Sequence, residues 1–515
     1  MKVSVSKVDI RTQALDAAGF LVAKTNRQEE LSRLAETLGL NASGLNGDFK
    51  ANEEEVLMFY PRTQGIEATR VCLLGLGDLT SLEAIRKAAA AFATKAKDFQ
   101  LAKVGIDLSN VEMLAKALGE TLDYVAQAVV EGFEFGRYEY TALKTEKIKE
   151  LKQGKAFKPE KKVELKELIL FTTEQSFAAV KEGAEVGYVI ATSQSAVRDL
   201  INAPSNYMTA TDLANAAKAS GKKYGYKVTV FGKEKLKQLG FGGLLGVNKG
   251  SSEPPTFSIL EYKPSGKVRG RVAVIGKGVT FDTGGISLKP AENMGDMKAD
   301  MSGAADVIGI VEIAARLKLP LHVIGAIPAT DNKPSGTAQN PGDVLTTYSG
   351  ITVEVDNTDA EGRLILADAL TYIKEQYEPD AIIDLATLTG ACVVALGNPV
   401  AGLFCNNDEL ADKLFKAGLR SGEKVWRMPL WDDYDKQIKS DVADVKNVGG
   451  RAAGAITAAK FLEKFIGDHR AWAHIDIAGP AFPSMGGKQS KGSSGFGVRL
   501  ITEVLRSWNG QAQKN

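Results

Sequence analysis

Three short stretches of this chain gather side chains that can do chemistry. The first is Gly276-Lys277-Gly278-Val279-Thr280-Phe281-Asp282-Thr283-Gly284-Gly285, where a lysine and an aspartate leave an apolar run with glycines on both sides. Glycine lets the backbone bend sharply and leaves room for a ligand. A phosphate loop is one reading, but the stretch is neither GxxxxGK(S/T) nor GxGxxG, because Phe281 stands where the third glycine would be. The second stretch holds Lys289, Asp296 and Asp300, the last lying just before a helical run that starts near Gly303. Asp300 could act there simply as a helix cap or dipole partner. The third is Asp356-Asn357-Thr358-Asp359-Ala360-Glu361-Gly362-Arg363-Leu364. In an extended chain, residues 359, 361 and 363 would point to one side. Two carboxylates so close repel unless a cation lies between them. Arg363 could be that cation in a purely structural network.

Asp282, Asp300, Asp359 and Glu361 together make four carboxylates near the ends of expected strands or helices. Carboxylate-rich sets hold divalent cations, and two cations need shared ligands. A histidine-based zinc site has no support: the histidines are His322, His469 and His474, and no HExxH occurs. His474 lies in the apolar run WAHIDIAG and reads as a satisfied core histidine. A Ser-His-Asp triad lacks a GxSxG motif.

The elements that must position these residues alternate between strands and helices. Short apolar runs predict strands at 19–24, 55–60, 70–77, 103–108 and 165–172, then at 227–232, 256–262, 271–278, 321–327, 381–388 and 472–479. Helical patterns occupy 81–99, 110–133, 303–317, 362–377 and 454–466, and a long stretch from about 174 to 203 could bridge two domains. Such alternation predicts an α/β fold. The expected arrangement is a smaller N-terminal α/β domain, 1–172, and a larger C-terminal α/β catalytic domain, 173–515, with a mixed central sheet.

At 515 residues, with 44% hydrophobic and 25% charged residues, the composition is that of a globular protein. Lys plus Arg number 64 against 63 Asp plus Glu, which argues against nucleic acid or a membrane surface as the main partner. The stretch 144–166 nevertheless holds nine lysines, which read as a solvated loop or, less simply, as a nucleic-acid contact. Cys72, Cys392 and Cys405 form no CxxC pair and are expected to be buried, reduced thiols. No signal peptide and no run of about 18 apolar residues is apparent, so a cytoplasmic address is expected.

Five motifs carry a resemblance: IGKGVTFDTGG (275–285), NMGDMKADMSGAA (293–305), NKPSGTAQNPGDV (332–344), NTDAEGRLILADAL (357–370) and ATLTGA (386–391). Together they resemble the leucyl aminopeptidase family of dinuclear-metal cytosolic exopeptidases, from about residue 180 to 505; the first domain is similar only in size, α/β character and position. The resemblance implies that Lys277, Asp282, Asp300, Asp359 and Glu361 are metal ligands, with Asp282 and Glu361 bridging. It pairs Asp359 with the more exchangeable metal, and Lys277 and Asp300 with the tighter one. It makes Lys289 and Arg363 the catalytic pair.

It further implies two divalent ions per subunit, Mn²⁺ or Zn²⁺ with Co²⁺ or Mg²⁺ as alternatives, and a bicarbonate general base held by Arg363. Met297, Thr387 and Gly390 match the lining of an apolar side-chain pocket, and Asn357 and Leu388 match positions touching the substrate backbone. At Gly479-Pro480-Ala481-Phe482 the chain departs from members that carry a bulky thioether near position 481. Physical chemistry is consistent with these roles. Lys277 can ligate only as the neutral amine. Dications lower the pKa of a held water from about 15.7 towards neutral. A charged Lys289 can polarise a carbonyl as negative charge develops. The implied protein is a homohexamer that takes peptides with a free N-terminus and prefers leucine-like residues. A DNA-binding side role, known for some bacterial members, is the alternative.

Overall fold

The apolar runs fold as strands, because β-branched and aromatic side chains fit a pleated surface buried on both faces. The computed structural model describes residues 1–38, 42–61, 65–153, 163–483 and 492–509. It divides into two units, Met1–Ser195 and Ala196–Asn515, the division falling inside the helix Phe177–Asn202. The boundary expected at 172–173 precedes that helix. Of the lysine-rich stretch 144–166, residues 154–162 lie outside the described residues, and Thr145–Gln153 form a helix.

The first unit contains β1 (Lys2–Ser6), β2 (Ala17–Val22), β3 (Val56–Phe59), β4 (Val71–Gly75), β5 (Lys103–Asp107) and β6 (Glu167–Phe171). They form one sheet in the order β1-β6-β5-β2-β4-β3, parallel except for the edge strand β3. The helical pattern at 110–133 proves to be two helices, Val111–Leu118 and Leu122–Arg137. Gly119 separates them in the left-handed region at φ 64°, which glycine enters without steric cost.

The second unit contains β7 (Lys227–Phe231), β8 (Thr256–Tyr262), β9 (Arg271–Gly276), β10 (Gly278–Asp282), β11 (His322–Asn332), β12 (Val344–Thr346), β13 (Thr352–Glu354), β14 (Ala381–Ala386), β15 (Ala401–Cys405), β16 (Val425–Arg427), β17 (Val445–Lys446) and β18 (Trp472–Asp476). Nine of these form a mixed sheet in the order β16-β15-β18-β14-β9-β11-β8-β7, with β10 beside β11. Its central strands β18, β14, β9 and β11 run parallel. Their carboxyl ends therefore lie along one edge, where α/β sheets place their chemistry.

One close approach fixes that edge. A Cβ on Gly276 would lie 2.1 Å from the carbonyl oxygen of Gly303, and one on Gly303 would lie 2.0 Å from that of Leu385. Only paired glycines let the helix Ser302–Arg316 settle so tightly on β9 and β14. Lys277 N then donates to Leu385 O at 3.0 Å, and Ala304 N to Lys277 O at 3.0 Å. Among the described residues, no helix is long and apolar enough to cross a membrane. Cys72, Cys392 and Cys405 are free and buried.

Candidate metal centre

Lys277 follows β9, Asp282 ends β10, Asp300 follows a 3₁₀ turn (Met294–Ala299), and Asp359 and Glu361 precede the helix Gly362–Tyr377. These five residues, spread over 85 positions, converge. Ligand atoms of Asp282, Asp359 and Glu361 all lie within 4.8 Å of one another. Lys277 Nζ lies 2.8 Å from Asp300 Oδ1 and 3.0 Å from Glu361 Oε1, and also donates to Thr387 O at 2.8 Å. Lys289 Nζ lies 2.8 Å from Asp282 Oδ2 and pairs with Asp359. The cluster thus has two lobes: Lys277 with Asp300 and Glu361, and Lys289 with Asp282 and Asp359.

Local chemistry shapes each lobe. Asp282 Oδ1 accepts from Gly284 N at 2.8 Å and from Asn332 Nδ2 at 2.9 Å. Gly284 and Gly285 sit at φ 88° and 69°, which turns the chain back so that Lys289 reaches Asp282. Asp300 is not the cap of its helix: Met301 occupies that place, and the Asp300 carboxylate accepts from Lys277 and from Thr387 Oγ1 at 2.7 Å.

The condition of an extended chain over 359–363, under which the three side chains would share a side, is not met. Glu361 is already helical at φ −79°, ψ −34°, and Gly362 starts the helix, so 361 and 363 do not alternate as in a strand. Asn447 bends the loop instead: its Oδ1 accepts from Asp356 N and Asn357 N, and its Nδ2 donates to Asn357 O and Ala360 O. Nor does Arg363 neutralise the two carboxylates. Its Nη1 donates to Asn447 O at 2.6 Å, and its buried Nε has no hydrogen-bond partner. The two lysines supply the balancing charge.

Burial disfavours charge on Lys277, Lys289, Asp300, Asp359, Glu361 and Arg363. It raises the Asp300 and Glu361 carboxyls, and the neighbouring charge of Asp282 raises both further. Burial works against the Lys277 ammonium, but Asp300, Glu361 and Asp282 outweigh it and hold that proton more firmly than usual. Lys289 behaves alike, through Asp282 and Glu361. Burial lowers Arg363 to about 10, against the pull of Glu361 and Asp476, so it stays charged at neutral pH.

The donor set fits hard divalent cations. Asp300 Oδ2 and Glu361 Oε1 are buried without a hydrogen-bond partner, Glu361 Oε1 lying beside Lys277 at an angle that makes no bond. Buried carboxylate oxygens left unpaired are costly unless a cation meets them.

Thr387 touches the cluster directly through Asp300 and Lys277. Asn357 lies on the Asp359 turn, its Oδ1 accepting from Asp359 N at 2.8 Å. Leu388 N donates to Asp476 Oδ1 at 3.1 Å. Met297 lies on the turn before Asp300, half-buried. Gly390 opens the helix Gly390–Leu396 and faces open space. Ala481 is buried. His474 is a core residue, its Nδ1 2.6 Å from Asp384 Oδ1.

Three structural supports were not anticipated: Asn332, Asn447 and Asp476. Asp476 accepts from Leu388 N, Thr389 N and Thr389 Oγ1, and so holds the turn that carries Thr387. A charged residue ending an otherwise apolar strand was its only signal.

Comparison with known proteins places this geometry. The family model described as the cytosol aminopeptidase family, catalytic domain, matches residues 195–502, and that of the family's N-terminal domain matches 28–147. A probable cytosol aminopeptidase of Chloroherpeton thalassium is 62% identical over 508 residues, covering 99% of this chain and 100% of that one. One from Chlorobium phaeobacteroides is 53% identical over 508 residues, with the same coverage. Among solved structures, the bottromycin maturation enzyme BotP in complex with Mn superposes with a TM-score of 0.83 at 32% identity, over 96% of this chain and 99% of that one. A match across most of the second unit, with relatives this similar end to end, means that the chain belongs to the cytosol aminopeptidase family, whose members are metal-dependent aminopeptidases.

Proposed function

We propose that the protein is a two-metal leucyl aminopeptidase that releases leucine-like N-terminal residues from peptides. The observation that carries this reading is that Asp282, Asp359 and Glu361 cluster and Lys277 joins Glu361 to Asp300. These five would hold the ions, with Asp282 and Glu361, whose charges act on both Lys277 and Lys289, as the shared pair. Mn²⁺ is the preferred candidate, since the similar enzyme BotP is known in complex with Mn, and Zn²⁺, Co²⁺ or Mg²⁺ also suit oxygen-rich ligands. When bound, the dications supply Lewis acidity and make a water acidic enough to serve as a nucleophile near neutral pH.

The chain's own groups do the rest. Lys289, held protonated by Asp282 and Glu361, donates to the scissile carbonyl oxygen as negative charge grows there. Arg363, charged and with an unpartnered Nε, would hold a bicarbonate, whose chemistry is to take up a proton. Asp300 Oδ2 is available to accept from the substrate's α-amine, which confines cleavage to a free N-terminus. Met297, Thr387 and Gly390 would line the side-chain pocket, and Asn357 and Leu388 would touch the peptide backbone. A homohexamer and a cytoplasmic location complete the reading.

Asp359→Asn tests it. The variant should lose Leu-p-nitroanilide hydrolysis at saturating Mn²⁺ and bind less metal by elemental analysis. The expected loss is at least the roughly 10–100-fold that removing even an indirect support of a metal ligand costs. A wild-type rate would remove Asp359 from the site.

A further inference from the structure

The first unit contains a cavity of about 380 Å³ that owes nothing to the metal cluster. Its position follows from topology. From β2 the chain moves to β3 and β4 on one side, whereas from β5 it moves to β6 on the other. The β2–β5 pair is therefore where strand order reverses, and open parallel sheets bind ligands outside the carboxyl ends of the strands near such a point. The cavity lies there: Asp107 ends β5, Phe171 ends β6, and Lys7 follows β1.

Its charges are arranged across open space. Asp107 is 9% exposed, and among the described residues its carboxylate accepts only from Ser109, through N–H and Oγ at 3.0 Å each. Arg11 and Arg33 line the same cavity. Among the described residues, neither bonds to Asp107: Arg11 pairs with Asp9 and Arg33 with Glu30, each through Nε and Nη2. Both keep Nη1 donors for another acceptor. Phe20 and Leu34 add apolar wall. A volume in the range of about 300–1,000 Å³, apolar walls and a few polar groups are what small-molecule sites share.

We propose that this cavity binds a small zwitterion, a free α-amino acid or short peptide, with its ammonium on Asp107, its carboxylate on Arg11 and Arg33, and its side chain against Phe20 and Leu34. Charge-assisted bonds at both ends make such a ligand complementary, and a bare anion would leave Asp107 facing like charge. Burial already raises the Asp107 carboxyl, so a cationic head group relieves an existing cost. The site stands independently of the catalysis proposed above.

Hydrogen–deuterium exchange on the full chain with added L-leucine reads the two regions through different peptides. Protection is expected at 7–11, 33–38 and 105–109. Asp107→Asn should weaken it at least about tenfold in Kd, roughly 1.4 kcal/mol. Arg33→Gln should do the same, and its side chain is 48% exposed, so that variant remains informative if the other fails to fold. Both variants should retain Leu-p-nitroanilide hydrolysis. N-acetyl-leucine, which lacks the ammonium, should give no protection there. The proposal is overturned by protection confined to 277–300 and 357–363, by unchanged protection in both variants, or by protection of 7–11 with adenosine monophosphate and none with leucine.

Discussion

At the scale of single residues, the cluster is governed by charge and by space. Asp300 and Glu361 bind protons more readily than free carboxyls, because burial raises both. A metal ligand must be deprotonated, so protons compete with dications. The sign is fixed: as pH falls through that raised range, protonated carboxyls lose affinity for metal, well above the ordinary carboxylate pKa of about 4. Mn²⁺ titrations of activity should therefore give a higher half-saturating concentration at about pH 6 than at about pH 8, with much of the rate restored by excess metal. An unchanged half-saturation would separate these carboxyls from the metal.

Space is as strict. A Cβ on Gly362 would lie 2.5 Å from Lys277 Cε and 2.8 Å from its Nζ. Gly362→Ala should displace that lysine, at a cost of about 1–3 kcal/mol for overpacking. Activity should fall at least tenfold, roughly the rate equivalent of 1.4 kcal/mol. The five converging residues were legible in the sequence, since three of the quoted motifs contain them: 275–285, 293–305 and 357–370. Asn447 and Asp476 were not. Each acts on backbone groups some 90 positions away, so Asn447 left no local pattern and Asp476 only a charge at the end of an apolar run.

At the scale of elements, long apolar runs were legible and short strands were not. The runs behind β9, β11, β14 and β18 are buried almost throughout, so hydrophobicity alone marks them. β12, β13, β16 and β17 have two or three residues each and exist through pairing, which no local pattern reveals. β10 was hidden for a different reason: its glycines and Asp282 read as a loop, and only its pairing with β11 makes it a strand.

Asp368 shows how elements near the site are joined. From the helix Gly362–Tyr377, its buried carboxylate accepts from Leu244 N at 2.9 Å and Tyr348 N at 2.8 Å. Asp368→Ala leaves two buried N–H groups unpaired and should cost about 2–6 kcal/mol in denaturant unfolding. Burial pushes Asp368 up to about 7, against the pull of its N–H donors. The folded state then holds this proton more tightly than the unfolded state. The stabilising contribution from Asp368 is fully present below pH about 4 and is lost as pH rises towards about 7.

At the scale of the whole molecule, both units keep their reactive sulfur inside. Burial pushes Cys72 and Cys392 up to about 12 and Cys405 to about 11, so none forms thiolate at neutral pH. Iodoacetamide should leave all three unmodified in the folded protein and label all three after denaturation, as read by intact mass. Early labelling of Cys392 would show that the segment joining β14 to β15 opens readily. The two-domain α/β organisation was legible because strand and helix patterns alternate along the chain. The break at Gly119 was missed because the apolar face continues across it, and one left-handed residue stops the helix regardless.

The pairing of Lys277 with Asp300 and Glu361 has an outcome for how the enzyme matures. With its own ammonium groups standing between the acids, the polypeptide can complete folding without waiting for ions. On the proposed ligand set, Lys277 would have to give up its proton before its nitrogen could hold a dication. Charging the finished protein with Mn²⁺ in weak buffer should therefore acidify the solution, and a Lys277→Met substitution should abolish that share of the acid released.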